Sequence, residues 1–354
     1  MAAMVILVGL FAALAACADD DGQERRPLQS APPAKLTSVV QLGDSIASGE
    51  GTLYGYTWDA DSQEWTGGNV DAPWPPPYPE CHVSPDAYGN RIAEYFGATL
   101  HQFACSGATF ANGFAAPETD ESTVYRPAEF GNWDNQTDLN ADYDAAHPEL
   151  VLITLGADDL QFSAIVEDCI KNGYWYAADL EKLRCISTNP GDTIQQDYFD
   201  FLPTLKENYA TIAKWIKARA VANGVAVPKV IFTNYANPLP PDGAICNDTN
   251  WLYKEQLQYL SSLVDQINET IEDTIAAIGD PDVAVADISD AYNAQGTSHI
   301  WCSDAPWAYG LSIYSVTSPS SFESRAPFHP TPDGQESIAE QVVPVAHRWF
   351  APAG

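Results

Sequence analysis

Ser45 stands where a short β-branched run breaks onto small and polar residues. Val39, Val40 and Leu42 suit a buried strand, and Gly43-Asp44-Ser45 carries a hydroxyl onto a tight turn at its end. A nucleophile is presented in this way, although Gly-Asp-Ser is also a common turn tripeptide. A serine hydroxyl attacks poorly until a positioned base accepts its proton, so this chemistry requires a histidine. Of the six histidines, His329 is the best placed, in the turn-rich run Pro327-Phe328-His329-Pro330-Thr331-Pro332-Asp333-Gly334 ahead of the last helical stretch. His82 adjoins Cys81, His101 lies in a strand, His147 precedes Pro148 and His347 falls in a helix; His299 is the other loop histidine toward this end. Two further blocks of small and acidic residues lie between, Cys105-Ser106-Gly107-Ala108-Thr109 and Gly156-Ala157-Asp158-Asp159.

The elements that must position these blocks are legible as periodicities. Five short apolar runs recur, Val39 to Leu42, Thr99 to Phe103, Leu150 to Leu155, Lys229 to Thr233 and Val283 to Ile288. Their continuous hydrophobicity suits strands buried on both faces, hence a parallel sheet with helical crossovers. Leu205, Tyr209, Ile212 and Ile216 are spaced as one helix, and Leu257, Leu260, Val264, Ile267, Ile271, Ile275 and Ile278 as a longer one ending at Gly279. Shorter helices are expected over Asp86 to Tyr95 and from about Gly334 to Phe350, the latter kinked at Pro344. The alternation predicts a three-layer α/β/α sandwich with a five-stranded, mainly parallel sheet, flavodoxin-like in outline.

In their order, the blocks at Ser45, Gly107, Asp158 and His329 resemble the GDSL or SGNH hydrolase family, and more narrowly its secreted actinobacterial lipase and esterase branch. The resemblance spans nearly everything from Leu36 onward. It implies a hydrolase of acyl esters working through an acyl-enzyme without metal or organic cofactor, with Ser45 as nucleophile and His329 as base. In much of the family an aspartate stands three residues before the histidine, where this chain has Ala326. Some members of the branch use a backbone carbonyl there, which assigns the orienting role to the Ala326 carbonyl; Glu323 and Asp304 are the side-chain alternatives. The resemblance builds the oxyanion hole from the Ser45 and Gly107 N–H groups and the side chain at position 158. That position departs from the pattern, because Asp158 replaces an asparagine and an ionised carboxylate offers no donor. The same resemblance implies sequential disulfides, Cys81 with Cys105, Cys169 with Cys185, and Cys246 with Cys302.

Two insertions, Thr52 to Glu80 and Ala115 to Ala146, interrupt the rhythm and are rich in Pro, Gly, Asp and aromatics. Tyr54, Tyr56, Trp58, Trp65, Trp74 and Tyr78, with Tyr174, Trp175, Tyr176, Trp301, Trp307 and Tyr309, follow strand C-termini, the edge where open α/β sheets bind ligands. They serve either an acyl groove or the private cores of long loops. Asp59, Asp61 and Glu64 do not continue into the register of a calcium-binding loop.

The chain's 16 basic and 48 acidic residues give a formal net charge of −32. Such a surface repels nucleic acid and anionic headgroups and favours a neutral small-molecule or lipid ester as partner. The apolar first residues end in Leu14-Ala15-Ala16-Cys17, similar to a bacterial lipobox, which makes Cys17 the acylated residue and a membrane tether. Met1-Ala2-Ala3-Met4 lacks the expected basic residue, so a plain secretory signal is the rival. Residues 1–17 then form the signal, 18–35 a solvated tether and 36–354 one monomeric hydrolase domain, secreted or held at the cell surface. Two other readings stand beside esterase: a polysaccharide deacetylase, and a catalytically silent surface binder of the same fold.

Overall fold

The computed structural model describes residues 36–69, 71–76, 79–110, 139–175, 193–249, 251–314 and 325–350. Cys17, the 18–35 segment, Tyr78, Tyr176, Cys185 and Glu323 lie outside the described residues.

All five apolar runs are strands of one sheet: β1 (Ser38–Gly43), β4 (Thr99–Gln102), β5 (Leu150–Thr154), β6 (Lys229–Thr233) and β7 (Val283–Ala286). Their order is β4-β1-β5-β6-β7, and every neighbouring pair runs parallel. The two-residue period of a strand divides the sheet's side chains between two cores. Val39, Leu150, Leu152 and Ile231 pack with α2 (Tyr88–Phe96) and α7 (Pro332–Phe350) on one face. Val40, Val151, Ile153, Val230 and Phe232 pack on the other with α5 (Thr193–Ala222) and α6 (Lys254–Ile278). The expected three-layer α/β/α sandwich is therefore the observed one. The α6 helix stops where expected, at Gly279 in a left-handed conformation with φ 63°.

Three features depart from the periodicity reading. The first insertion is not simply loop: β2 (Tyr56–Asp59) and β3 (Glu64–Gly67) form an antiparallel hairpin in which Trp58 faces Trp65. Its turn is closed by Asp59 Oδ1, which accepts the Asp61 N–H at 2.9 Å and the Ser62 N–H at 3.1 Å. Two unanticipated helices are present, α3 (Leu139–Ala146), at the end of the second insertion, and α4 (Phe162–Trp175), directly after the Asp158-Asp159 block. Finally, α5 begins well before the apolar run at Leu205 and passes through Pro203, whereas α7 spans Pro344 as expected.

The described aromatics of the first insertion settle into a core of their own. Tyr54, Trp65 and Tyr309 are buried together, with Tyr56, Trp58 and Trp74 packed against them. Disulfides join Cys81 to Cys105 and Cys246 to Cys302, two of the expected pairs. Cys169 is buried in α4, and its expected partner Cys185 is not among the described residues. A Cys246→Ser/Cys302→Ser double variant should lose about 2 to 4 kcal/mol of stability, because the bridge closes a chain segment of 56 residues. Urea unfolding under non-reducing conditions measures this, and an unchanged midpoint would show that the bridge constrains nothing that matters to folding.

Candidate active site

The site is built at the C-terminal ends of β1, β5 and β6. β1 ends at Gly43, whose φ of 132° is open to glycine and whose absent Cβ would stand 2.0 Å from the Thr154 carbonyl oxygen. Only glycine lets β1 turn away while still lying against β5. Asp44 N–H then donates to the Thr154 carbonyl at 2.8 Å, and Asp44 Oδ1 caps the short helix α1 (Ser45–Ser48) by accepting the Ile46 N–H at 3.0 Å. Ser45 is the first residue of α1, so its N–H has no place in the helix's own ladder.

Gly107 arrives from the β4 side. The Cys105 N–H donates to the Gly43 carbonyl at 2.9 Å and the Ser106 N–H to the Cys81 carbonyl at 3.1 Å, so the disulfide and these bonds together place the loop beside Ser45. Gly107 itself has φ 81°. Asp158 and Asp159 occupy the turn that launches α4, where Phe162 N–H donates to the Ala157 carbonyl at 3.1 Å. Their side chains part: Asp158 lines the cleft, while Asp159 accepts the Phe110 N–H with both oxygens, at 2.9 and 3.1 Å.

His329 is held by an antiparallel clamp. Phe328 N–H donates to the Tyr309 carbonyl and Tyr309 N–H to the His329 carbonyl, each at 2.9 Å. Phe328 adopts φ 71°, which is uncommon for a bulky residue; its ring packs on Trp301 at 4.6 Å and on Phe162 at 5.8 Å. His329 Nδ1 lies 3.1 Å from the Pro327 carbonyl oxygen, while the Ala326 carbonyl accepts the His329 backbone N–H at 2.9 Å. The Arg325 and Ala326 carbonyls also lie close enough to favour the protonated ring. Of the side-chain alternatives, Asp304 is exposed, with its carbonyl accepting the Trp58 indole N–H at 2.7 Å. The other loop histidine, His299, is stacked on Trp307 at 3.6 Å and bonds the Ala305 carbonyl through Nδ1.

Ser45, Gly107, Asp158 and His329 open onto one cleft of about 330 Å³. Its inner wall is apolar, formed by Leu160, Phe162, Val166, Ile170, Val264 and Ile267. Beneath Ser45 the strand ends are tied by a buried polar network. Tyr235 O–H donates to Asp44 Oδ2 at 2.5 Å and accepts the Ala157 N–H at 3.0 Å, and the Thr154 and Thr233 hydroxyls bond each other at 2.7 Å. Burial pushes the Asp44 carboxyl up to about 7 against the pull of the Tyr235 hydrogen bond, with Asp159 adding to the rise. Burial likewise lifts Asp159 to about 7, opposed by the Phe110 N–H. Burial lowers His329 below the ordinary imidazole value, opposed by the negative charge of Glu50 and by the surrounding carbonyls.

Glu50 and its partner His82 are the residues that sequence reasoning passed over, together with Tyr235. One signal was available: Glu50 is the single charged residue in the otherwise small and polar run that follows Ser45, Ile46-Ala47-Ser48-Gly49-Glu50-Gly51.

The profile of the GDSL-like Lipase/Acylhydrolase family matches residues 42–336, from the end of β1 into α7. The chain belongs to this family. No curated protein matches the sequence. Among solved structures, phospholipase A1 from Streptomyces albidoflavus is similar at 17% identity and TM-score 0.53, over 88% of this chain and 99% of that one. The extracellular lipase of Streptomyces rimosus is similar at 20% identity and TM-score 0.53, with the same coverage. At these identities the likeness establishes a shared fold, in which the family's blocks meet at one sheet edge.

The raised carboxyls give the fold a pH signature. Both bind their proton more tightly folded than unfolded, so their contribution is fully present below the ordinary value of 3.8 and is lost as pH rises through about 7. Asp159→Asn should therefore be more stable than the parent at pH 8 by roughly 2 to 4 kcal/mol and should lose that advantage near pH 4. Denaturant unfolding at the two pH values checks this, and a constant difference between them would mean that Asp159 stays ionised in the fold.

Proposed function

We propose that this protein is an exported serine esterase or lipase that hydrolyses acyl esters through a Ser45–His329 mechanism. The observation that carries the reading is that Ser45 and His329, far apart in sequence, open onto the same apolar-walled cleft. Ser45 Oγ attacks the ester carbonyl carbon while the His329 ring takes its proton; the tetrahedral oxyanion faces the Ser45 and Gly107 N–H groups. Collapse expels the alcohol with the proton held by His329, and water, activated by the same ring, releases the acid from the acyl-enzyme. The apolar wall suits an acyl chain, since hydrocarbon gains about 25 cal/mol per Å² on leaving water. The disulfides support an extracytoplasmic location, where such bonds persist. The described aromatics of the first insertion are engaged with one another, which favours the acyl ester over a polysaccharide stacked on exposed rings.

Asp158 bears on how well the site works, because losing one oxyanion donor costs about 3 kcal/mol. A neutral carboxylic acid donates one hydrogen bond and an anion none, so a working Asp158 is protonated during turnover. Asp158→Asn supplies a donor at every pH. Its kcat should exceed the parent's and persist into alkaline pH without a change in the acidic limb, which a pH–rate profile would show. Lower activity throughout would instead assign the carboxylate to holding the turn before α4.

Ser45→Ala and His329→Ala should each abolish hydrolysis of nitrophenyl esters while keeping the parent's melting temperature, since neither side chain belongs to the packed hydrophobic cores. Fluorophosphonate should label the parent rapidly at Ser45. Absent labelling of a folded parent protein would remove the esterase reading and leave a binding protein of the same fold.

A further inference from the structure

A carboxylate is buried beside the catalytic loop without contacting the cleft. Glu50 has no exposed surface, and its backbone N–H donates to the Ser45 carbonyl at 3.0 Å, so it is fixed to the nucleophile's own helix. The next residue, Gly51, lies against the His329 segment: a Cβ there would stand 3.2 Å from both Ala326 Cα and the Tyr309 ring. Both Glu50 oxygens are engaged. His82 Nδ1 lies 2.6 Å from Oε2, and Tyr54 O–H donates to Oε1 at 2.7 Å. The His82 ring is stacked on Trp74 at 4.7 Å with planes 8° apart, and Trp74 meets Tyr54 edge-on at 5.5 Å. The aromatic core of the first insertion thus holds one carboxylate in place, next to the nucleophile's helix and the segment that leads into His329.

We propose that Glu50, fixed by His82 and Tyr54, is a positioning residue whose negative charge steadies the protonated His329 ring, in the part that an aspartate at position 326 would otherwise play. The need for it follows from the site: carbonyls can hold a tautomer but give an imidazolium less stabilisation than a full negative charge does. The interaction is mutual, since Glu50 raises His329 while His329 and His82 help hold Glu50 below the ordinary carboxyl value against the opposing effect of burial. A buried charge keeps its strength because little water screens it. The charged and titratable groups around the pair include His82 and Tyr54 at Glu50, Tyr309 against Gly51 and the His329 segment, and Asp44, Asp158, Glu167, Tyr198, Tyr235 and Arg325 along the cleft that His329 faces.

This inference rests on the Ser45–His329 reaction proposed above, and three substitutions separate the two. Glu50→Gln should lower kcat by about 10- to 100-fold with KM within about twofold, and should move the acidic limb of kcat/KM to lower pH, because the ring no longer faces an anion. Glu50→Asp loses the same hydrogen-bond geometry but keeps the charge, so it should retain the parent's acidic limb and recover most of the kcat. A purely structural Glu50 would make the two variants equally poor with an unmoved limb, which would overturn the inference while leaving the hydrolase intact. Should Glu50→Gln fail to fold, the coupling is read in reverse. NMR of the Glu50 carboxyl carbon should show it titrating at higher pH in His329→Gln than in the parent, and an unchanged titration would overturn the proposal. Failure of the parent to hydrolyse any ester or to react with fluorophosphonate would sink the underlying reaction, an outcome distinct from either result.

Discussion

The close approach of β1 to β5 at Gly43 is the constraint on which the rest of the site depends. The Thr154 carbonyl lies where a side chain on residue 43 would be, and it accepts the Asp44 N–H. With β1 pinned there, the chain turns at Asp44 and rises into α1 with Ser45 at its first position. The Thr154 hydroxyl extends the same point of attachment, bonding Thr233 on β6 and Tyr88 on α2. One strand end thus gathers a neighbouring strand and a flanking helix around the nucleophile's turn.

The floor of the site is expensive to build. Asp44 and Asp159 are carboxyls raised to about 7 by burial, in a chain that already carries a formal charge of −32. Buried charge is tolerated only when hydrogen bonds compensate it, and here Tyr235, Ile46 and Phe110 supply them. Tyr235 is pivotal because its hydroxyl both donates to Asp44 and accepts from Ala157, joining β1's turn to β5's. Disulfides offset part of this cost where the loops meet the site: Cys81–Cys105 ties the His82 loop to the Gly107 loop, and Cys246–Cys302 anchors the segment before Trp307 and Tyr309.

Much of this was legible in one dimension. Runs such as Leu150 to Thr154, buried at every position, announce a strand covered on both faces, and α6 repeats its apolar residues at helical spacing up to a terminating glycine. The hairpin of the first insertion was not legible, since Tyr56 to Asp59 and Glu64 to Gly67 sit among prolines, glycines and aspartates whose composition reads as loop. Its register rests on packing of Trp58, Trp65 and Tyr309, a contact between segments some 250 residues apart that no local pattern encodes.

What the sequence by itself determined was the sheet, its flanking helices and the order of the blocks around Ser45, Gly107, Asp158 and His329, because strand burial, helix periodicity and turn chemistry are local properties. Only the tertiary structure decided which groups surround the base. The Pro327 carbonyl faces Nδ1 because Phe328 takes a left-handed conformation locked by Trp301 and the Tyr309 clamp. Glu50 meets His82 because a disulfide and an aromatic core fold residues 32 positions apart onto one another. Electrostatic environment depends on distance and burial in three dimensions, and neither is written in the spacing of residues along a chain.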